Sequence, residues 1–229
     1  REVNIAFLTR MTRGTPWVRM KTAVTLDGRT AFPDGRSQWI TGEAARADVQ
    51  FWRGRAGAVL TGIGTVLADD PQMNVRLPDQ ERQPLRIVID PRMETPPAGK
   101  LLTSKGGKVF IAAAAEYPTR RAALEAAGAE VWVLPDAAVP GRVDLRELMR
   151  ELAKREVNEV HVEAGPRLSG ALFAAGLIDE MLFYYAPCLF GAGMGPAAVP
   201  LPAEPGAAYR WRLQSLDQIG GDFRVLLRR

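Results

Sequence analysis

Short apolar strands alternate with helical segments along most of this 229-residue chain, and that alternation constrains its fold more than any other feature. Ala58-Val59-Leu60-Thr61, Leu85-Arg86-Ile87-Val88-Ile89-Asp90, Lys108-Val109-Phe110-Ile111, Glu130-Val131-Trp132-Val133-Leu134 and Glu159-Val160-His161-Val162-Glu163 read as strands. Amphipathic stretches lie between them. One opens at Thr41-Gly42-Glu43, with Thr41 placed to cap it, and runs to about Arg55. Others run from Arg120 to Ala127 before Gly128, from the capping Asp144 to about Glu156, and from Arg167 to Ala175. Such helical crossovers predict right-handed connections and a mainly parallel sheet covered on both faces, an α/β three-layer sandwich. Trp17 to Val24 mixes apolar and basic residues like a strand entering that sheet, and Glu180 to Ala186 reads as a further strand. Leu213 to Leu227, folded around Gly220-Gly221, predicts an antiparallel C-terminal hairpin at one edge.

Hydrophobic residues make up 47% of the chain, enough to bury a real core. Charged residues are 24%, which excludes a disordered tail, a collagen and a coiled coil. No apolar run approaches the roughly 20 residues of a membrane helix. The opening REVNIAFLTR lacks the pattern of a secretory signal. A single cysteine, Cys188, forbids an intrachain disulfide and fits a reducing, cytoplasmic compartment. With His161 as the single histidine, a His/Cys zinc cluster is impossible, and no G-x-S-x-G elbow marks a serine nucleophile. The net charge is +4, but the basic residues are scattered and interleaved with acids. That argues against a nucleic-acid surface and suits a pocket for phosphorylated ligands. Residues 1–16 read as a short helix or linker, and no linker splits the remainder, 17–229. The first residue is Arg rather than Met, as expected of a chain cut from a longer one.

Ligands of open parallel sheets bind outside the carboxyl ends of the strands. Three strand ends here are rich in glycine and hydroxyl residues: Gly62 to Thr65, Gly165 to Gly170 and Gly191 to Gly195. Each lets backbone N–H groups approach a phosphate, and the first two lead into helices. Each alone also reads as an ordinary turn. No G-x-G-x-x-G fingerprint opens the first βαβ unit and no Walker A is present. Arg53 and Arg76 lie near element ends, as phosphate clamps or as solvated surface charges. Glu163 follows an apolar strand at the ligand end, as a site carboxylate or a surface one. His161, between Val160 and Val162, reads as a packed core imidazole, Trp39 as a packing aromatic, and Cys188 as an inert apolar residue.

Several segments together resemble the reductase domain of the bacterial bifunctional riboflavin-biosynthesis deaminase/reductase. They are K-T-A-V-T-L-D-G-R-T-A (21–31), S-Q-W-I-T (37–41), R-x-D-V-Q (46–50) and G-T-V-L-A-D-D-P-Q-M-N-V-R (64–76). L-R-I-V-I-D (85–90), V-E-A-G-P-x-L-x-G-A-L (162–172) and D-E-M-L-F-Y-Y-A-P-C-L-F-G (179–191) complete the set in the expected order. Residues 1–16 resemble the linker after the deaminase half, whose zinc signature this chain cannot supply.

The resemblance implies a dihydrofolate-reductase-like fold and the activity of 5-amino-6-(5-phosphoribosylamino)uracil reductase. In that reaction hydride passes from NADPH to C1′ of the ribose. It places Ser37, Arg53, Met73, Arg76 and Glu163 around the substrate and Lys21 near the ribose. It places Ala23, Trp39, Thr65, Asp69, Pro91 and the turn Gly165, Pro166, Arg167, Leu168, Ser169, Gly170 and Ala171 against NADPH; Arg92, next to Pro91, is by its position our own candidate for helping to select the 2′-phosphate. Glu163, Lys21 and Asp69 are its candidate catalytic groups. It further implies a homodimer and a covalently linked deaminase domain in the full-length protein. The competing readings are a reduction-first diaminopyrimidine reductase, a dihydrofolate reductase, and a non-catalytic NADPH-binding module.

Overall fold

The computed structural model describes residues 4–78 and 80–229, and the chain resolves into two units. The first holds residues 1–17 and 50–161, and the second holds 18–49 and 162–229. The chain passes between them within β1 (Trp17–Thr25), α2 (Glu43–Arg55) and β6 (Glu159–Val162).

In the first unit, α1 (Ile5–Arg13) closes on Gly14, whose positive φ provides the left-handed residue that ends a helix. Four strands then pair in parallel: β2 (Ala58–Gly62), β3 (Leu85–Ile89), β4 (Val109–Ala113) and β5 (Ala129–Val133). Their order is β5-β4-β3-β2, with β6 beyond β2. β2, β3 and β4 are buried almost throughout, as near-continuous apolar runs require when both faces of a parallel sheet are covered. Val59, Val88 and Ile111 form one core cluster with Val66, Met73, Met93, Leu101 and Leu124.

The connecting helices are α3 (Ile63–Asp69), α4 (Lys100–Thr103), α5 (Pro118–Ala126) and α6 (Leu145–Lys154). Asp144 caps α6 by accepting from the N–H groups of Arg146 and Glu147, as the sequence predicts, and Gly128 follows α5 at φ +92°. One detail departs from expectation: Ile63, Gly64 and Thr65 lie inside α3 rather than in a glycine turn. Separately, Gly107 is seated under a carbonyl. A Cβ on Gly107 would stand 2.0 Å from Pro84 O, so no larger residue fits between β3 and β4 there.

In the second unit, β1 pairs in parallel with β7 (Glu180–Ala186), and β7 pairs antiparallel with β9 (Asp222–Arg228). β8 (Arg212–Ile219) closes the predicted hairpin on β9, with a register shift between Leu213 and Ser215. α7 (Pro166–Ala174) completes the unit. The two halves of the expected architecture, parallel strands and an antiparallel C-terminal hairpin, are both present. α2 begins at Glu43, not at Thr41, and the amide of Gly42 ahead of it donates to Asp222 Oδ2 at 2.7 Å. Thr41 instead offers its carbonyl to Arg46 Nη1 at 2.7 Å.

Candidate active site

The first unit gathers two of the predicted arginines on one residue. Arg53, in the last turn of α2, donates through Nη1 to Asn74 O at 3.2 Å. Arg76 donates through Nη1 to Asn74 Oδ1 at 3.0 Å, and its amide donates to Gln50 Oε1 at 3.0 Å. Asn74 is itself pinned, since its Nδ2 donates to Lys105 O at 2.8 Å. Buried Met73 ahead of it has φ +53°, a left-handed bend that turns the chain at this point. Gln83 clamps the neighbouring residue from both sides, accepting from Val75 N at 2.9 Å and donating to Val75 O at 3.0 Å. Residues 73–76 are therefore a stiff loop that collects two permanently charged, fork-shaped donors. That chemistry matches the oxygens of a phosphate monoester.

Thr65 and Asp69 stand one turn apart on α3, so they share a side of the helix; Thr65 is half-buried and Asp69 exposed. Beyond β3, buried Asp90 closes a turn by accepting from Thr95 N at 2.7 Å and Thr95 Oγ1 at 2.8 Å. That turn carries Pro91, half-buried, and Arg92, exposed. Arg92 pairs with Glu94 at 3.0 Å, and its carbonyl accepts from Arg120 Nη1 at 2.7 Å. A cavity of about 640 Å³ follows, lined by Leu67, Glu94, Thr95, Thr119 and Arg120 among others; Arg92 itself does not line it.

In the second unit, Lys21 and Ala23 are the half-buried positions of an otherwise buried β1, and alternation sets both on one face. Glu163 stands half-buried just past β6. Ser37 is half-buried. Trp39 follows a cis peptide from Gln38 and is 72% exposed, with Arg46 Cζ 4.8 Å from its ring centroid. This corrects the packing reading of Trp39: its ring is held by a guanidinium at the surface, not by a core. His161 is fully buried, as a core imidazole should be.

The turn from Gly165 divides in two. Gly165 is the extended residue ahead of α7, it has no side chain to cap the helix, and a Cβ there would meet nothing within 4 Å. Pro166 carries no N–H, so Arg167 and Leu168 supply the first donors, which by helix geometry lack intrahelical acceptors. Ser169 and Gly170 instead face inward. Ser169 Oγ donates to Ala164 O at 3.3 Å, and a Cβ on Gly170 would stand 2.2 Å from Ala198 O. Ala171 is half-buried behind them.

The third glycine-rich segment has a different answer from the one expected. Asp27 supplies its own anion there, accepting from Gly191 N at 2.7 Å and Phe190 N at 3.2 Å. The Thr25 hydroxyl, and then those amides, hold the Asp27 carboxyl below its usual range. Those amides are thus engaged by the protein itself.

Sequence reasoning passed over Asn74, Gln50, Asp48 and Tyr184, although each lies inside a quoted segment. Tyr184 Oη donates to Asp48 Oδ2 at 2.5 Å, and burial, then that hydrogen bond, push its phenol above the ordinary range. Among the described residues no cluster of His, Cys, Asp and Glu is placed to hold a metal ion, and no helix is long and apolar enough to cross a membrane.

Parallel strands with helical crossovers and an antiparallel C-terminal hairpin define an α/β protein. The family model of the RibD C-terminal domain matches residues 16–225, and this chain belongs to that family. It is 37% identical to the riboflavin biosynthesis protein RibD of Haemophilus influenzae over 98% of its length, and 37% identical to that of Escherichia coli over 96%. The chain spans 61% and 62% of those two proteins. Among solved structures, Acinetobacter baumannii RibD superposes with a TM-score of 0.87 at 36% identity, covering 99% of this chain and 62% of that one. A Thermotoga maritima diaminohydroxyphosphoribosylaminopyrimidine deaminase/5-amino-6-(5-phosphoribosylamino)uracil reductase superposes at 0.79 and 26% identity, covering 97% and 59%. The Saccharomyces reductase Rib7, at 18% identity and 0.67, shares the fold.

Proposed function

We propose that this chain carries the NADPH-dependent reduction of the ribosyl group of 5-amino-6-(5-phosphoribosylamino)uracil to its ribitylamino product, in riboflavin biosynthesis. The observation that carries this reading is the gathering of Arg53 and Arg76 on Asn74 in a member of the RibD C-terminal domain family. Forked, charge-bearing donors match the oxygens of a phosphate ester. In this reading Arg53 and Arg76 hold the 5-phosphate, Ser37 and Met73 bound the substrate, and Lys21 and Glu163 reach its ribose. NADPH, when bound, supplies the hydride.

The turn before α7 fits a pyrophosphate, because the N-cap residue, Gly165, has no side chain to cap the helix or to fill the space ahead of it. The amides of Arg167 and Leu168 would hold it, with Pro166 and Ala171 beside them and Ser169 and Gly170 supporting from below. Ala23, Trp39, Thr65, Asp69 and Pro91 would hold the rest of the cofactor, and Arg92 would read its 2′-phosphate. The ribosylamine takes hydride at C1′ in its open-chain imine form, whose nitrogen gains a proton in the same reduction, and Glu163, Lys21 and Asp69 are the groups of this chain that would deliver it.

We take residues 1–16 as a linker and 17–229 as the reductase domain; residues 1–3 lie outside the described ones. The full-length protein, in this reading, joins the chain to a deaminase domain, works as a homodimer in the cytoplasm, and leaves deamination to that other domain. The test is NADPH oxidation with the deaminated uracil, the undeaminated diaminopyrimidine and dihydrofolate side by side. Turnover with the uracil alone is expected. Turnover with the diaminopyrimidine alone moves the enzyme to a reduction-first order, and NADPH binding without turnover makes it a non-catalytic module. Glu163→Gln separates two roles: weaker substrate binding with intact single-turnover hydride transfer makes Glu163 a binding residue, not the acid.

A further inference from the structure

The register of the second unit lines up four residues in a row across one face of its sheet. Ala23 of β1 stands beside Tyr184 of β7, Tyr184 beside Arg224 of β9, and Arg224 beside Asp217 of β8. Asp48 of α2 reaches this row. Its carboxylate accepts from Tyr184 Oη at 2.5 Å and from Arg224 Nη1 at 2.9 Å, while Arg224 Nη2 donates to Asp217 at 2.8 Å. Tyr184 is fully buried, so its ring has no freedom beyond what this chain of bonds allows. Lys21 shares the face, and its Nζ lies 5.9 Å from the centroid of the Tyr184 ring. A phenol that donates to a carboxylate gains electron density on oxygen and ring, which strengthens the attraction of the ring for a cation.

We propose that Tyr184 is a positioning residue of the reductase: fixed through Asp48 and Arg224, its ring is the platform that aims the Lys21 ammonium at the substrate ribose. This rests on the reading of Lys21 as a ribose-facing residue. Tyr184 does not touch the substrate; it acts through Lys21. Asp48, Arg224 and Asp217 act one and two steps further out.

The test is a double-mutant cycle in the 229-residue chain, reading substrate affinity by calorimetry without NADPH and kcat by NADPH oxidation. Tyr184→Phe keeps the ring and removes the hydroxyl. Because the ring stays, only the part of the cation–ring contact that the hydrogen bond supports is lost, and substrate affinity is expected to fall by about twofold to threefold, with NADPH affinity unchanged. In a Lys21→Met background the same substitution should change substrate affinity no further. Asp48→Asn, which keeps the shape and removes the charge, should reproduce the affinity loss and serves if Tyr184→Phe fails to fold. Equal losses with and without Lys21 overturn the proposal and make Tyr184 merely structural. No loss in Tyr184→Phe, with Lys21→Met impaired, overturns the proposal while the reading of Lys21 stands. No loss in Lys21→Met removes that reading and the proposal with it.

Discussion

The two units bury arginine in opposite ways. The first buries Arg86 of β3 among carbonyls: Nε donates to Gly107 O at 2.8 Å and Nη1 to Leu101 O at 2.6 Å and Gln72 O at 3.2 Å. Burial draws its pKa down from the ordinary arginine value. The second matches arginines to carboxylates. Glu180, fully buried, takes Arg19 on one oxygen and Arg228 Nε at 2.7 Å on the other, and Asp48 takes Arg224. A carbonyl-held arginine staples loops together, and its removal strands only dipoles. A carboxylate-matched arginine belongs to a circuit, and its partner's removal strands a charge. The second unit holds two such groups, Glu180 with Arg19 and Arg228, and Asp48 with Arg224, Tyr184 and Asp217, and within each a change at one residue leaves its partners unmatched.

The largest break of this contrast is Glu180→Ala, which leaves two guanidiniums at a buried site and should cost about 3–5 kcal/mol in urea unfolding. Arg86→Met should cost less, about 1–3 kcal/mol, because it leaves carbonyls without a donor but no charge without a partner. A cost for Arg86→Met equal to that of Glu180→Ala would erase the distinction. Next comes a backbone seat. Gly170→Ala forces a Cβ against Ala198 O and should destabilise by about 1–3 kcal/mol, whereas Gly165→Ala, with open space around it, should stay within roughly 0.5 kcal/mol.

The smallest effect is a pH dependence. The Tyr184 phenol titrates above its ordinary 10.0 in the folded protein, so its contribution is complete below pH 10. The contribution is lost as pH climbs past that value, where the unfolded chain ionises first. The stability advantage of the unsubstituted chain over Tyr184→Phe should therefore shrink above pH 10, by less than about 1.4 kcal/mol per pH unit. Thermal unfolding at pH 9 and pH 11 compares the two; a constant difference would remove the titrating group from the circuit.

What was legible in the sequence was local. Asp144 before an amphipathic run, Gly128 after one, and Gly220-Gly221 between two strand patterns each act within a few residues, and each stands where it was expected. The parallel pairing followed from the helical crossovers between strands. The candidate site was legible only as separate residues. Arg53 and Arg76 meet because Met73 bends backwards and Gln83 clamps the chain, contacts fixed by folding rather than by spacing. The Tyr184 row depends on strand register between segments far apart in sequence, which no local pattern carries. Trp39 was misread for the complementary reason: aromatic rings default to cores, and this one is held at the surface by Arg46.

If this chain reduces the sugar, hydride passes from NADPH to C1′ of the ribose, and a deuterium label follows it. The chain is incubated with NADPH deuterated at the transferring position and 5-amino-6-(5-phosphoribosylamino)uracil, and the product is examined by mass spectrometry and NMR. A ribitylamino product with deuterium at C1′ is the expected result. Oxidation of NADPH with no label in the product, or label elsewhere than C1′, would contradict it.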